Sequence, residues 1–246
     1  MPAPSRVAEL LNSIAIVLVS AQDRGWVPVR TRTLHLSYRG LAFRLKVANR
    51  SEIDVAREMF LEEQYLIPGI DPKLILDLGS NIGASIMFFR AQYPTARILG
   101  LEPDPDTFQR LAATVAPVAD VNVYPWAAYG QSGHVGFVQE RQSWDSAIAR
   151  DGEAYTVQVE AVSLRDIFAR LRIEHVDLLK FDIQGSEWSI FNDPSAFAAC
   201  DTIVGELHLD RPDQTVERAQ QALSGFMLTI SARSAGLVNF VARRAT

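Results

Sequence analysis

From Leu74 onward, short apolar runs alternate with segments whose apolar residues recur every three or four positions. The runs predict strands at 74–78, 97–102, 121–125, 176–182, 201–207, 226–230 and 237–242. The periodic segments predict helices at 83–92, 105–115, 163–171, 186–193 and 213–223. Strands that alternate with helices build a parallel sheet covered on both faces, an α/β fold. The last two strands lie close enough in sequence to form an antiparallel hairpin, giving a seven-stranded, mostly parallel sheet with one antiparallel edge. Before Leu74 the pattern differs. Residues 5–23 read as a helix with Ser5 as N-cap, ended by Gly25 and Pro28. The runs 34–38 and 42–47 alternate around Arg39-Gly40 as a hairpin. Glu52 to Leu66 reads as a helix closed by Pro68-Gly69. The chain thus divides into a helix and hairpin cap, 1–70, and an α/β domain, 71–246. Within the latter, 135–139 and 155–161 read as an inserted hairpin. Its connection, Glu140 to Glu153, is either a lid over the ligand edge or an ordinary exposed tip.

Composition narrows the function classes. The 246 residues are 48% hydrophobic and 22% charged, as expected of one large domain or a domain with an appendage. A net charge of −5 opposes a nucleic-acid partner, and Arg243-Arg244 is too short a basic run to change that. A single cysteine, Cys200, excludes an internal disulfide and a cysteine-based zinc site. Ile14 to Val19 is too short to span a bilayer, so no membrane role is expected. Arg6 before that run imitates a signal peptide, but Glu9 interrupts it, and a cytoplasmic protein is the expectation.

The richest stretch is Leu74-Ile-Leu-Asp77-Leu-Gly79-Ser80-Asn81-Ile-Gly83, a strand that breaks into a glycine-bounded turn before a helix. Open α/β sheets bind ligands at such turns. A dinucleotide fingerprint needs G-x-G-x-x-G, but Asn81 replaces its second glycine. A phosphate loop needs a lysine after its last glycine, and none follows Gly83. Asp77 would repel phosphate and attract a cationic ligand. The next strand ends on Glu102, roughly 20 residues on, where an acid accepts hydrogen bonds from ribose hydroxyls. Together these residues describe a nucleoside site without a pyrophosphate clamp, which resembles the S-adenosylmethionine pocket of class I, Rossmann-like methyltransferases.

A third segment, Val176-Asp-Leu-Leu-Lys180-Phe-Asp182-Ile-Gln184-Gly185-Ser-Glu187, is similar to the D-L-L-K-x-D-x-E-G-x-E signature of FkbM-type methyltransferases. The resemblance runs from about Glu52 to about His208 and includes Val162-Ser163-Leu164-Arg165-Asp166, where the family has a strand and a T-L-D helix start. It implies S-adenosylmethionine as methyl donor and a small-molecule acceptor, mainly by O-methylation in natural-product and glycan pathways. Gln184 departs from the family glutamate.

For the donor, the expected contacts are Asp77, Gly79, Ser80, Asn81, Gly83 and Glu102, with Pro103 fixing the chain behind them. Trp126 and Ala127 follow the third strand, where adenine would lie. Trp126 reads either as a stacking partner or as a core residue. Tyr65 reads either as a contact to the methionine carboxylate or as cap packing. For acid–base chemistry the strand ends offer Asp182, beside Lys180 on one face, and Glu206 and His208 together at the fifth strand; Asp182 reads either as a contact to the methionine end of the donor or as a group that orients the acceptor. His208 is the first candidate for general base, because imidazole titrates near neutral pH. Glu187, in a first helical turn, reads as structural. Asp182, Glu206 and His208 could also converge on a divalent cation, though no spacing demands one. His35, His134 and His175 lie away from this edge. Two other functions stay open on the residues alone: an NAD-dependent oxidoreductase, and a silent S-adenosylmethionine-binding subunit. The apolar helix at 5–23 suits docking either on its own domain or on a second subunit, so a homodimer stays open.

Overall fold

The computed structural model describes residues 21, 24, 30–140, 146–149, 152–234 and 236–245. Apart from residue 21, the helix expected at 5–23 lies outside them, as do residues 141–145 and 150–151 of the long connection. The first described elements are the antiparallel strands β1 (Arg32–Tyr38) and β2 (Leu41–Val47), joined at Arg39-Gly40 as expected. Helix α1 (Arg50–Phe60) follows. Its start is doubly capped: Asn49 accepts from the Glu52 N–H at 3.1 Å, and the Glu52 carboxylate accepts from the Ala48 N–H at 2.6 Å. The helix stops at Phe60 rather than Leu66, because Glu63 turns into the left-handed region at φ 50°.

The α/β part contains β3 (Leu74–Leu78), α2 (Ala84–Gln92), β4 (Arg97–Leu101), α3 (Pro105–Val115), β5 (Val121–Tyr124), β6 (Trp126–Tyr129), β7 (Gly133–Val138), β8 (Ala147–Ile148) and β9 (Val157–Ser163). It continues with α4 (Leu164–Leu171), β10 (Val176–Phe181), α5 (Glu187–Ile190), a 3-10 helix (Pro194–Ala199), β11 (Cys200–His208), α6 (Val216–Ala222), β12 (Phe226–Ser234) and β13 (Leu237–Arg244). The main sheet is seven-stranded in the order β12-β13-β11-β10-β3-β4-β5. β11, β10, β3, β4 and β5 run parallel, and β13 pairs antiparallel with both β11 and β12. This is the Rossmann-like α/β sheet expected from the sequence. A helix predicted at 186–193 is shorter, since Pro194 begins a 3-10 turn instead.

A parallel sheet between helices must be apolar on both faces, and the strands show it. Leu76, Leu78, Leu179, Phe181 and Ile203 pack on one face beneath α4, α5 and the 3-10 helix. Ile75, Ile98, Leu178 and Val204 pack on the other against α2 and α3. The hairpin and α1 join this second cluster through Leu45, Val47, Ala56 and Met59, so the cap shares a core with the sheet. The inserted hairpin is β7 with β9, and it belongs to a second, four-stranded sheet in the order β6-β9-β7-β8. Strand β6, formed by Trp126 to Tyr129 and parallel to β9, was not expected. Among the described residues no helix is long and apolar enough to cross a membrane.

Candidate active site

The parallel register sets Asp77 of β3 opposite Lys180 of β10, and Leu78 opposite Leu101 of β4, so these strands all end at one edge of the sheet. There the chain after β3 turns through Gly79 at φ 78°, Asn81 at φ 47° and Gly83 at φ 93°. Gly79 is held to glycine twice over. Its φ is left-handed, and an added Cβ would lie 1.9 Å from the Asp182 carbonyl oxygen. The turn's N–H groups are already engaged. Gly79 and Ser80 donate to the Leu101 carbonyl, Asn81 to Glu102, Ile82 to the Asn81 side chain, and Gly83 to Ser80. A phosphate-binding loop works by presenting free backbone N–H groups, and this loop presents none from Gly79 to Gly83.

Asp77, expected from the sequence to contact the donor, does not line the cavity. It is fully buried beneath the turn, 3.1 Å from the Lys180 ammonium, and accepts from the Ser85 hydroxyl at 2.6 Å. The reason is the register: a lysine on the neighbouring strand arrives beside it and neutralises it. Lys180 also donates to the Gly79 carbonyl at 2.6 Å. Burial opposes its charge, but Asp77 and then Asp182 raise its pKa, so it is a fixed cation tying β10 to the glycine turn. Gly83 also stays off the cavity: it starts α2, and a Cβ there would press on Leu111 and Thr114.

The remaining expected residues converge on one cavity of about 470 Å³. Gly79, Ser80, Asn81, Glu102, Pro103, Trp126 and Ala127 line one part, and Tyr65, Lys180, Asp182, Glu206 and His208 also border it. Glu102 accepts from the Asn81 and Asp104 N–H groups, both at 2.9 Å, one on each oxygen. Each oxygen keeps a second lone pair for a ligand hydroxyl. Burial, reinforced by the nearby Asp104 charge, raises the Glu102 pKa to about 7. Trp126 stacks on Tyr124 at 4.7 Å between ring centroids, and the Arg170 guanidinium lies 5.2 Å from its ring. Trp126 is therefore both a packed residue and a cavity wall.

At the other part of the cavity, Tyr65 donates to Asp182 at 3.1 Å, and Gln184 donates to the second Asp182 oxygen at 3.3 Å. Gln64 donates to Glu206 at 2.6 Å. The segment just after α1 thus pins the cap onto the sheet edge through two consecutive side chains. His208 Nδ1 lies 3.1 Å from Glu187, which is fully buried. Burial alone would lower the His208 pKa, but the bond to Glu187 and the charges of Glu187, Asp182 and Asp210 outweigh it and raise it to about 9. Asp182, Glu206 and His208 do not crowd closely enough to share one ion. Among the described residues the group that does is exposed His175 with half-buried Asp177 and Asp201, at the opposite ends of β10 and β11.

Several wall residues carry no sequence signal. Val55, Glu58 and Met59 of α1, Phe137 of β7, Ser146 to Ile148 around β8, and Leu237 of β13 reach the cavity only through tertiary packing. Glu187 does carry a signal, the last acid of the signature, but its place in a first helical turn suits a structural role equally well.

The geometry can be set beside known proteins. The model of the Methyltransferase FkbM domain matches residues 77–234. Methyltransferase 1 of Beauveria bassiana (strain ARSEF 2860) is 23% identical over 202 residues, covering 72% of this chain and 81% of that protein. The 2-O-methyltransferase NoeI of Sinorhizobium fredii (strain NBRC 101917 / NGR234) is 26% identical over 134 residues, which is 48% of this chain and 55% of NoeI. Among solved structures, a putative methyltransferase, yhhF, from Escherichia coli superimposes with a TM-score of 0.50 at 13% identity, covering 87% of this chain and 99% of the other. That likeness concerns the fold alone.

Proposed function

The chain belongs to the FkbM methyltransferase family, and from that premise we propose that it methylates a hydroxyl of a small molecule, a sugar or a polyketide-like compound, with S-adenosylmethionine as donor. Methyl transfer itself follows from the family, which sets aside the NAD-dependent alternative. One observation carries the finer reading. A buried carboxylate suited to ribose and a cluster of acid–base side chains open onto the same cavity.

The residues fit such a donor. The turn leaves no free N–H for phosphate, so the ligand it favours carries none. Glu102 has lone pairs for two hydroxyls, and Gly79 lets backbone close over the turn without a Cβ. Gly79, Ser80, Asn81 and Glu102 would hold the nucleoside and amino-acid parts, with Trp126 and Ala127 beside the base. Bound S-adenosylmethionine supplies an electrophilic methyl on a sulfonium, already a good leaving group. What remains for the protein is to align the acceptor, exclude water and handle one proton. Tyr65 and Gln184 hold both oxygens of Asp182, which leaves that carboxylate oriented as an acceptor for a substrate O–H. Gln184 does here what a glutamate could not: its amide donates to a neighbouring carboxylate instead of repelling it. The relationship to a 2-O-methyltransferase supports an oxygen acceptor.

Isothermal titration with S-adenosylmethionine should give micromolar-range binding, weakened in Glu102→Ala. Pure, folded protein that takes up no S-adenosylmethionine would overturn the proposal. Methyl transfer from labelled donor to a panel of methyl glycosides and hydroxylated macrolactones tests the acceptor class. An ether product survives mild alkali, whereas transfer to a carboxyl gives an ester that does not.

A further inference from the structure

Among the described residues Glu187 is the fully buried carboxylate that borders His208, and neither donor binding nor acceptor alignment uses it. We propose that Glu187 is a positioning residue: its carboxylate takes the Nδ1–H of His208, so that Nε2 is the nitrogen that receives the acceptor hydroxyl's proton.

The geometry is specific. Glu187 opens α5, directly after the loop that leaves β10, and His208 ends the neighbouring strand β11. Glu187 Oε1 accepts from the Ile183 N–H at 3.1 Å and lies 3.1 Å from His208 Nδ1. Its other oxygen, Oε2, is buried and has no hydrogen-bond partner among the described residues. A buried carboxylate so thinly compensated needs its cation, and His208 is the cation beside it. The backbone is fixed too: Trp188 donates from Nε1 to the His208 carbonyl at 2.7 Å. An ionised carboxylate can only accept, so the hydrogen between the two sits on Nδ1. His208 lines the cavity, and Nε2 is the ring nitrogen left for chemistry.

The groups facing His208 all act in one direction. Glu187 comes from α5, Asp182 from the loop after β10, and Asp210 from the segment after β11, and each is a carboxylate that strengthens the imidazole as a base. The step balances simply. The acceptor oxygen forms a bond to the methyl carbon, the carbon–sulfur bond breaks with its electron pair left on sulfur, and the hydroxyl proton passes to Nε2. The positive charge that leaves sulfur reappears on an imidazolium already paired with Glu187. A base this strong holds its own proton at neutral pH, so transfer should quicken as pH rises towards 9.

This inference rests on the methyl-transfer reading, and the test separates the two. Protein labelled with 15N-histidine and saturated with S-adenosylhomocysteine is titrated by NMR, with His208→Gln identifying the signal among the four histidines. The expected spectrum shows Nδ1 protonated throughout and Nε2 titrating well above the ordinary imidazole range. Glu187→Gln should lower that midpoint by at least one unit, a tenfold loss of proton affinity, and release the tautomer preference. A wild-type midpoint near 6.5, or a proton resident on Nε2 in the neutral ring, overturns the proposal. Should Glu187→Gln fail to fold, the wild-type tautomer and midpoint decide it alone, with Glu187→Asp as the second variant. Absence of S-adenosylhomocysteine binding, with the titration as expected, would instead overturn the methyl-transfer reading and leave the pair standing.

Discussion

Glu102 offers a quantitative check of the donor site, because its affinity for a proton and for a ribose compete. Burial holds the carboxyl at about pKa 7 rather than the ordinary 4.5. Only the ionised form accepts hydrogen bonds on both oxygens while keeping the Asn81 and Asp104 N–H groups. With a midpoint of 7, about one tenth of the protein is ionised at pH 6 and about nine tenths at pH 8. Affinity for S-adenosylhomocysteine should therefore rise about tenfold across that interval, or about 1.4 kcal/mol. At pH 7 binding should release about half a proton, visible as a buffer dependence of the calorimetric enthalpy. Glu102→Gln removes the titration, so the difference between the two proteins cancels the ligand's own ionisation. The variant should also bind more weakly by about 1.5–3 kcal/mol, the usual scale for a charged hydrogen bond. Stability moves the other way. A carboxyl whose pKa is raised by folding makes the fold less stable as pH climbs from about 4.5 to about 7, by up to about 3 kcal/mol. Glu102→Gln should therefore be more stable than wild type at pH 8. Parallel pH profiles of binding in the two proteins would refute the role given to Glu102.

The other predictions concern what holds the site. Gly79→Ala should cost about 1–3 kcal/mol in urea unfolding from its left-handed φ alone, and more from the Asp182 carbonyl in its way; a wild-type midpoint would show that the turn can move. Lys180→Met strands the buried Asp77 charge and should cost about 3–5 kcal/mol, so a smaller loss in chemical denaturation would mean the ion pair is not buried as described. His208 gains a raised pKa on folding, so its pairing with Glu187 stabilises fully below about pH 6.5 and is lost as pH rises through about 9. That contribution is about 3 kcal/mol, and the stability difference between wild type and His208→Gln, followed by urea unfolding from pH 6 to 10, should shrink over the same interval.

Much of the fold was legible because its signals are local. The strands β3, β4, β10 and β11 are apolar runs bounded by turn residues, and their predicted limits differ from the observed ones by a residue or so. The elements misjudged were those whose limits depend on distant partners. Helix α1 ends early because the chain turns at Glu63 to place Gln64 and Tyr65 against Glu206 and Asp182. Strand β6 exists because Trp126 to Tyr129 finds β9 more than thirty residues downstream, a pairing no local pattern announces.

The same division runs through the site. Glycines at 79 and 83 and the acid at 102 mark this strand edge in the sequence by themselves, because backbone freedom and charge are carried by residue type. Which carboxylate faces the cavity was decided only in three dimensions. Asp77 and Glu102 are both acids at strand ends, but strand register puts Lys180 beside Asp77 and neutralises it, while Glu102 meets only backbone N–H groups and faces the cavity. His208 and Glu187 likewise lie 21 positions apart in sequence, and only the pairing of β10 with β11 brings them within 3.1 Å. Residue types fix what each group can do, and tertiary contacts fix which of them remain free to do it, since a charge that is paired by a neighbouring side chain and also sealed off from the cavity, as Asp77 is, has no capacity left for a ligand.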